Sequence, residues 1–391
     1  MKRQLTVALG LAVIATPALA TKARMEALGE DSFGSYYIQD NRNIFLNPAR
    51  ITENKDFVTY EFGQGGDVTA VDSASSPRAG GGFAKSHGNM VYGLHFGDSS
   101  PSTGALRGLV NGPTGAGTAN LQEQQPWDLH VGGDAGLKWG ASLTYEQFDG
   151  TVGAAGARLA SNGLRLRGGV LMGDLDLFAH VSLKNEAKDF AGNSMEGDMG
   201  LFFGAGYMLN NYKLFADYRM IGAEYRSTAA GMNTTKEDID NTILRVGAGR
   251  QERLNDRATL FAKAMITRQT VDDEGNGTLG AEGEVTALAL PVTVGLEYAA
   301  TSWLDLRASV INNVFSQVEV DPKAGSKTSE HANVTSVRAG ASLKFGEFSV
   351  DGLIATNDGS GVGANADGST DSGGVIRTDS LLTRVSMIYR F

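Results

Sequence analysis

Strict alternation of apolar and polar residues, in runs of about ten, constrains this chain more than any other feature. From Leu137 to Gln147, Leu137, Trp139, Ala141, Leu143 and Tyr145 fall on one face, and Lys138, Gly140, Ser142, Thr144 and Glu146 on the other. A period of two means an extended strand. The run is about as long as the ~9 to 11 residues that a tilted strand needs to cross a hydrocarbon layer. The pattern recurs in pairs: Leu164 to Met172 and Leu175 to Lys184 flank Gly173-Asp174, and Met199 to Leu209 and Tyr212 to Met220 flank Asn210-Asn211. Further hairpins turn at Leu254-Asn255-Asp256, Thr301-Ser302 and Gly346-Glu347.

The connections are of two kinds. Tight ones, including those near His87-Gly88 and Asp134-Ala135, alternate with long polar ones: Asp98 to Pro126, Asn185 to Asp198, Ser227 to Asp240, Asp272 to Glu282, Asp321 to Ala332 and Asn357 to Thr378. Short turns on one rim and long loops on the other are the connection pattern of outer-membrane barrels. Adding strands at Phe57 to Phe62, a pair between Arg78 and Phe96, and one at Trp127 to Val131 gives sixteen, the last running from Ser380 to Phe391. Fourteen is the alternative if Gly-rich Ala79 to Gly82 is loop. The expected fold is therefore all-β, a transmembrane antiparallel up-and-down β-barrel of about 16 strands with an amino-terminal plug. Closure matters because an open edge in lipid would leave backbone polar groups unsatisfied, at several kcal/mol each.

Lys2, Arg3, an apolar run from Leu5 to Ala15, and Pro17 before Ala18-Leu19-Ala20 form a secretory-signal pattern. The expected organisation is residues 1–20 as signal peptide, 21–55 as plug and 56–391 as barrel. After Ala20 no run approaches the roughly 18 apolar residues of a spanning helix. The chain holds no Cys, which removes disulfides and thiolate sites. Its net charge of -10 does not suit a nucleic-acid partner. The last strand places Leu381, Thr383, Val385, Met387, Tyr389 and Phe391 on one face. This ending on Tyr389 and a terminal aromatic, Phe391, resembles the signal read by the barrel-assembly machinery.

Between Thr21 and Asn54 the alternation is lost and turn-forming pairs take over. This segment carries Asp40, Asn43, Asn47, Pro48 and Ala49 in a D-x-x-N-x-x-x-N-P-A spacing just before the first strand. Here the chain resembles the FadL-type long-chain fatty acid and hydrocarbon transporters. The resemblance implies a fourteen-stranded barrel with the amino-terminal hatch folded inside and apolar cargo. The long loops depart from it, being rich in Gly, Ser, Thr, Asn and Asp.

If the apolar strand faces meet lipid, the opposite faces line the lumen. Lys138, Arg165, Arg167, Lys184, Lys213, Arg219, Arg245, Lys263, Arg307, Arg338, Lys344, Arg384 and Arg390 fall there, with Asp128, Glu146, Asp176, Asp217, Glu297, Asp305 and Asp351 opposing them. Lys or Arg on the lipid side would cost roughly 2–4 kcal/mol each at mid-membrane. The basic excess fits either anion preference or a lattice of counterions that braces the wall or holds a plug. The acidic loop residues, among them Asp189, Glu196, Asp198, Asp240, Asp272, Asp273 and Asp321, read as solvated surface or as divalent-cation bridges to lipopolysaccharide.

Catalysis is not expected. His87, His95, His130, His180 and His331 lack metal-motif spacing, and no nucleophile elbow or phosphate loop appears. The arrangement to look for is His130 or His180 beside a Ser and a lumen carboxylate. No cofactor is expected. The function expected is passive passage of small-molecule solutes across the outer membrane of a Gram-negative bacterium, including hatch-gated uptake of hydrophobic compounds. The alternatives are a water-filled porin, with Asp98 to Pro126 as inward loop and a homotrimeric assembly, and a structural barrel without transport. Outer-membrane lipids, lipopolysaccharide and the barrel-assembly machinery are the remaining expected partners.

Overall fold

A computed structural model describes residues 21–63, 78–98, 123, 126–152, 157–189, 193–227, 235–274, 283–323, 326–331, 334–357 and 381–391. The expected signal peptide, most of the proposed inward loop and residues 358–380 lie outside these.

Two short helices, α1 (Lys22–Ala27) and α2 (Asn43–Leu46), and a 3₁₀ turn (Pro48–Thr52) precede the strands. The first strands are β1 (Phe57–Gly63), β2 (Arg78–His87), β3 (Met90–Phe96), β4 (Trp127–Asp134), β5 (Lys138–Val152) and β6 (Ala157–Met172). Next come β7 (Leu175–Lys188), β8 (Ser194–Gly197), β9 (Gly200–Leu209), β10 (Tyr212–Ser227), β11 (Thr235–Arg253) and β12 (Ala258–Asp273). The last are β13 (Gly283–Ala299), β14 (Leu304–Pro322), β15 (Thr328–His331), β16 (Thr335–Phe345), β17 (Phe348–Asn357) and β18 (Leu381–Arg390). All pairings are antiparallel. β8 and β9 share one position between β7 and β10, and β15 and β16 share one beside β14, so eighteen segments fill sixteen places. β18 closes on β1, with Phe57 opposite Arg390 and Gly63 opposite Arg384. The barrel thus has the sixteen strands that the alternation predicts, and not the fourteen that the family resemblance implies.

The tight turns follow from residues that tolerate left-handed backbone: Asn210 at φ 54° and Gly173 at φ 58°. Burial is inverted relative to a water-soluble protein. Asp351 and Ser386 are 0% exposed, whereas Leu129 and Ile354 on the neighbouring faces are 53% and 57% exposed. An apolar outside and a polar inside, on a closed ladder, define a transmembrane barrel of the outer-membrane type.

Three expectations change. Strands β11, β12, β13 and β14 run well past the segments read from alternation and the short β8 stands within a segment read as loop, so the loops are shorter than expected and Glu196, Asp240, Asp272 and Asp273 belong to strands. A bulge on β7 moves the register between Leu164 opposite Lys184 and Arg165 opposite Ser182. That extra residue turns Lys184 away from the lumen, where it pairs with Glu186 at 3.1 Å, and brings Asn185 and Ala187 inward instead. Finally, the inner face is not polar throughout. Ala187, Met195, Ile221, Ala223, Tyr225, Ile239 and Val271 form a buried apolar cluster contributed only by strands.

Candidate functional site at the amino-terminal segment and the inner wall

The segment before β1 is folded largely by its own polar side chains. Thr21 caps α1, its Oγ1 accepting from Arg24 N at 3.2 Å and donating to Asp351 Oδ2 at 2.9 Å. Asp40 Oδ1 accepts from Arg42 N at 2.8 Å. Asn43 ties the bend, accepting from Ser35 N and donating to Ile38 O, both at 2.8 Å. Asn47 caps the 3₁₀ turn by accepting from Ala49 N at 2.9 Å, with Pro48 in the first-turn position that needs no N–H donor. The spacing that carried the family resemblance is thus a set of caps and turn locks. Asn47 also reaches the wall, donating to Leu177 O at 3.2 Å and to Asp176.

Charges then fasten the segment to the wall. Arg24 forks onto Glu297 of β13 at 2.9 and 3.0 Å and meets Asp40 at 3.1 Å. Arg42 forks onto Asp98 at 3.0 and 3.2 Å, and Lys22 reaches the same carboxylate at 2.5 Å. Burial works against ionising Asp98, yet Arg42 and Lys22 hold its carboxyl well below the usual range. For Asp40 burial wins over Arg24, and its carboxyl is pushed up to about 7. Lys263 pairs with Glu30 at 2.5 Å, Arg384 with Glu26 at 3.1 Å, Arg50 with Asp176 at 2.6 Å and Lys138 with Glu53 at 3.0 Å.

Of the basic residues expected to line the lumen, Lys138, Arg165, Arg167, Arg219, Arg245, Arg307, Arg338 and Arg384 stand on inward faces, whereas Lys184 does not. Lys138, Arg384 and Arg338 contact the segment, the last through Glu26 O at 3.3 Å. Arg307 meets Glu297 at 2.6 Å and Asp351 at 2.7 Å, Arg245 meets Asp217 at 2.9 Å, Arg167 meets Asp128 at 2.5 Å, and Arg165 meets Glu123. Arg219 differs. It is 7% exposed, its Nε makes no hydrogen bond among the described residues, and its guanidinium lies 4.2 Å over the Phe202 ring. At the opposite pole of the sequence, Tyr389 and Phe391 face outward with rings 6.3 Å apart.

Arg219 opens onto a cavity of about 40 Å³, bounded by Phe33, Tyr36 and Leu46 and the carboxylates Glu30 and Asp31 of the segment, and by Phe202, Phe215 and Met265 with Arg245 and Lys263 of the wall. Tyr36 stacks on Phe215 at 4.5 Å and donates to Asp217 at 3.0 Å. The apolar inner cluster continues along β10, where Phe215, Asp217, Arg219, Ile221, Ala223 and Tyr225 share the inward face. Sequence reasoning missed this site because it took the inner face as polar and ended the strand at Met220. Carrying the same alternation five residues further would have exposed Ile221, Ala223 and Tyr225.

The serine and histidine sought as a catalytic pair do meet: His130 Nδ1 lies 2.7 Å from Ser142 Oγ. The ring is buried against Phe45, and its Nε2 has no partner among the described residues. No carboxylate hydrogen-bonds to its ring among the described residues.

No family model matches this chain, and no curated protein sequence matches it. Among solved structures it is similar to a FadL homologue of Pseudomonas aeruginosa, at 13% identity over 95% of this chain and 98% of that one, with a TM-score of 0.45. It is also similar to the CymD monoaromatic hydrocarbon channel, at 12% identity over 95% and 98% with a TM-score of 0.43. A third is the Ralstonia pickettii toluene transporter TbuX, at 12% identity over 97% and 100% with a TM-score of 0.41. At such identities and scores these likenesses add no weight to the closed ladder and inner-wall geometry described above.

Proposed function

We propose that this outer-membrane barrel carries small apolar solutes bearing an anionic head, and that residues 21–55 form the plug that closes its lumen. A segment this short makes polar contacts to β1, β5, β7, β10, β12, β13, β17 and β18 at once. Contacts to the polar faces of strands around the whole circuit support a position inside the ring.

The observation that carries the substrate reading is the inward face of β10. An apolar stripe from Tyr225 to Ile221 ends on the buried guanidinium of Arg219, whose Nε makes no hydrogen bond and which forms no ion pair among the described residues, at the edge of the proposed plug. Burying an unmatched cation is costly, and a carboxylate from a ligand would relieve it. The 40 Å³ of free space is far below the ~150 Å³ apolar cavity that takes up benzene. Entry of even one ring or short acyl chain therefore requires Phe33, Tyr36 or the plug itself to shift, which couples binding to opening. An open anion-selective porin is less well supported, because most of the wall cations already hold carboxylate partners.

Binding of octanoate and of octanol to the detergent-solubilised protein tests this reading. Octanoate should bind the native chain, and Arg219→Gln should weaken it roughly 10- to 100-fold, the worth of a charge-assisted hydrogen bond, while octanol is little affected. Absence of octanoate binding, or equal loss of both probes, would contradict it.

A further inference from the structure

We infer that the plug carries an acid-sensitive latch at Phe45, formed by His95 and His130. Both rings stand edge-on to Phe45, at 5.2 and 5.5 Å, and 5.2 Å from each other. They are 1% and 4% exposed, and Nδ1 of His95 and Nε2 of His130 have no partner among the described residues. Phe45 is also capped by cations, with Arg42 at 4.0 Å and Arg167 at 5.4 Å from its ring. α2, which places Phe45, is thus held in a box of two guanidiniums and two imidazoles.

The groups that could accept a further proton's charge are already engaged. Asp98, after β3, is shared by Arg42 and Lys22, and Asp128 of β4 is taken by Arg167 and the Thr144 hydroxyl. Phe57 of β1 offers His95 only a ring face at 6.0 Å, and Glu61 of the same strand receives Lys22 N and Ser386. His180 of β7 gives its Nε2 to Leu46 O at 2.8 Å, and Arg165 faces Glu123. A third or fourth positive charge in this buried box finds no free carboxylate among the described residues, so an imidazole that gains a proton favours the undocked plug, where water receives it.

The sign follows from linkage. The histidines' contribution to docking is at full strength above the ordinary imidazole value of about 6.5 and is lost as pH falls below it. At pH 5 each histidine exposed on undocking shifts the docked-to-undocked ratio by about 30-fold, and the two together by up to about 1000-fold. Asp40 acts in the opposite sense. With its docked carboxyl pushed up to about 7, it gains a proton on acidification and offsets up to roughly 100-fold of this. The plug reading supplies only the consequence for flux; the docking itself can be read whether or not any solute passes.

Amide hydrogen exchange on the full chain in micelles at pH 8 and pH 5, expressed as protection factors, measures the latch. Residues 43–52 should lose protection at pH 5 relative to a His95→Gln, His130→Gln double variant, by at least about 30-fold, with β17 amides unchanged in both. The two single variants should each remove part of the difference. Because the readout is the change with pH and not the level, a variant that docks more weakly at both values still reports it. Parallel pH responses in native and double-variant protein would overturn the latch, whereas octanoate failing to bind would overturn the transport reading and leave the latch standing.

Discussion

Gly140 and Gly169 set how closely residues 47–49 can approach the wall. A Cβ on Gly140 would overlap the Pro48 carbonyl and the Ala49 nitrogen, and one on Gly169 would overlap the Asn47 carboxamide. Nothing rigid can yield there, because the obstacle at Gly140 is backbone. Gly140→Val should therefore weaken docking by roughly 1–3 kcal/mol, the usual cost of overpacking. The check is a faster exchange of residues 47–52 with barrel strands unaffected. Asp40 gives a pH-dependent prediction of its own. Its docked carboxyl sits at about 7, while an exposed one titrates near ~3.9, so docking weakens as pH rises through 7. Asp40→Asn should flatten protection of residues 40–47 between pH 6 and 8; an unchanged slope would remove Asp40 from the titration.

At the scale of elements, the amino-terminal segment is a chain of short pieces that could not persist alone, since helices of six and four residues lie far below the ~12–15 at which isolated helices become even marginal. Their order comes from caps and wall contacts. Asn47→Ala removes the cap on the 3₁₀ turn, worth about 1 kcal/mol, and leaves Asp176 and Leu177 O short of a donor. A larger loss than in Thr52→Ala, whose hydroxyl donates only to Ala49 O at 2.8 Å, is expected in exchange of this turn. The strands were legible because each crosses the membrane with an enforced alternation, as from Leu137 to Gln147. Lys184 was misplaced because a bulge costs one residue and leaves no mark in composition. The strand ends were read short where apolar residues moved to the inner face, as at Ile221 and Ile239, since alternation alone does not tell lumen from lipid. Arg219 was picked out as lumen-lining, but only the packing shows that it differs from Arg245 on the adjacent strand β11, which pairs with Asp217, in having no ion-pair partner among the described residues.

The molecule as a whole is a closed sixteen-position ladder whose apolar outside meets lipid and whose inside is crossed by ion pairs to its own amino-terminal segment. Pores of this strand number are wide enough for an aqueous channel when nothing fills them. On the proposed function, residues 21–55 are what would separate a selective carrier from a hole. Single-channel conductance of the reconstituted full chain, compared with a variant lacking residues 21–51, tests this most directly. The full chain should conduct little, and the truncated barrel should give a stable conductance of porin magnitude. Equal conductance in the two, whether high or negligible, would contradict a plugged transport barrel.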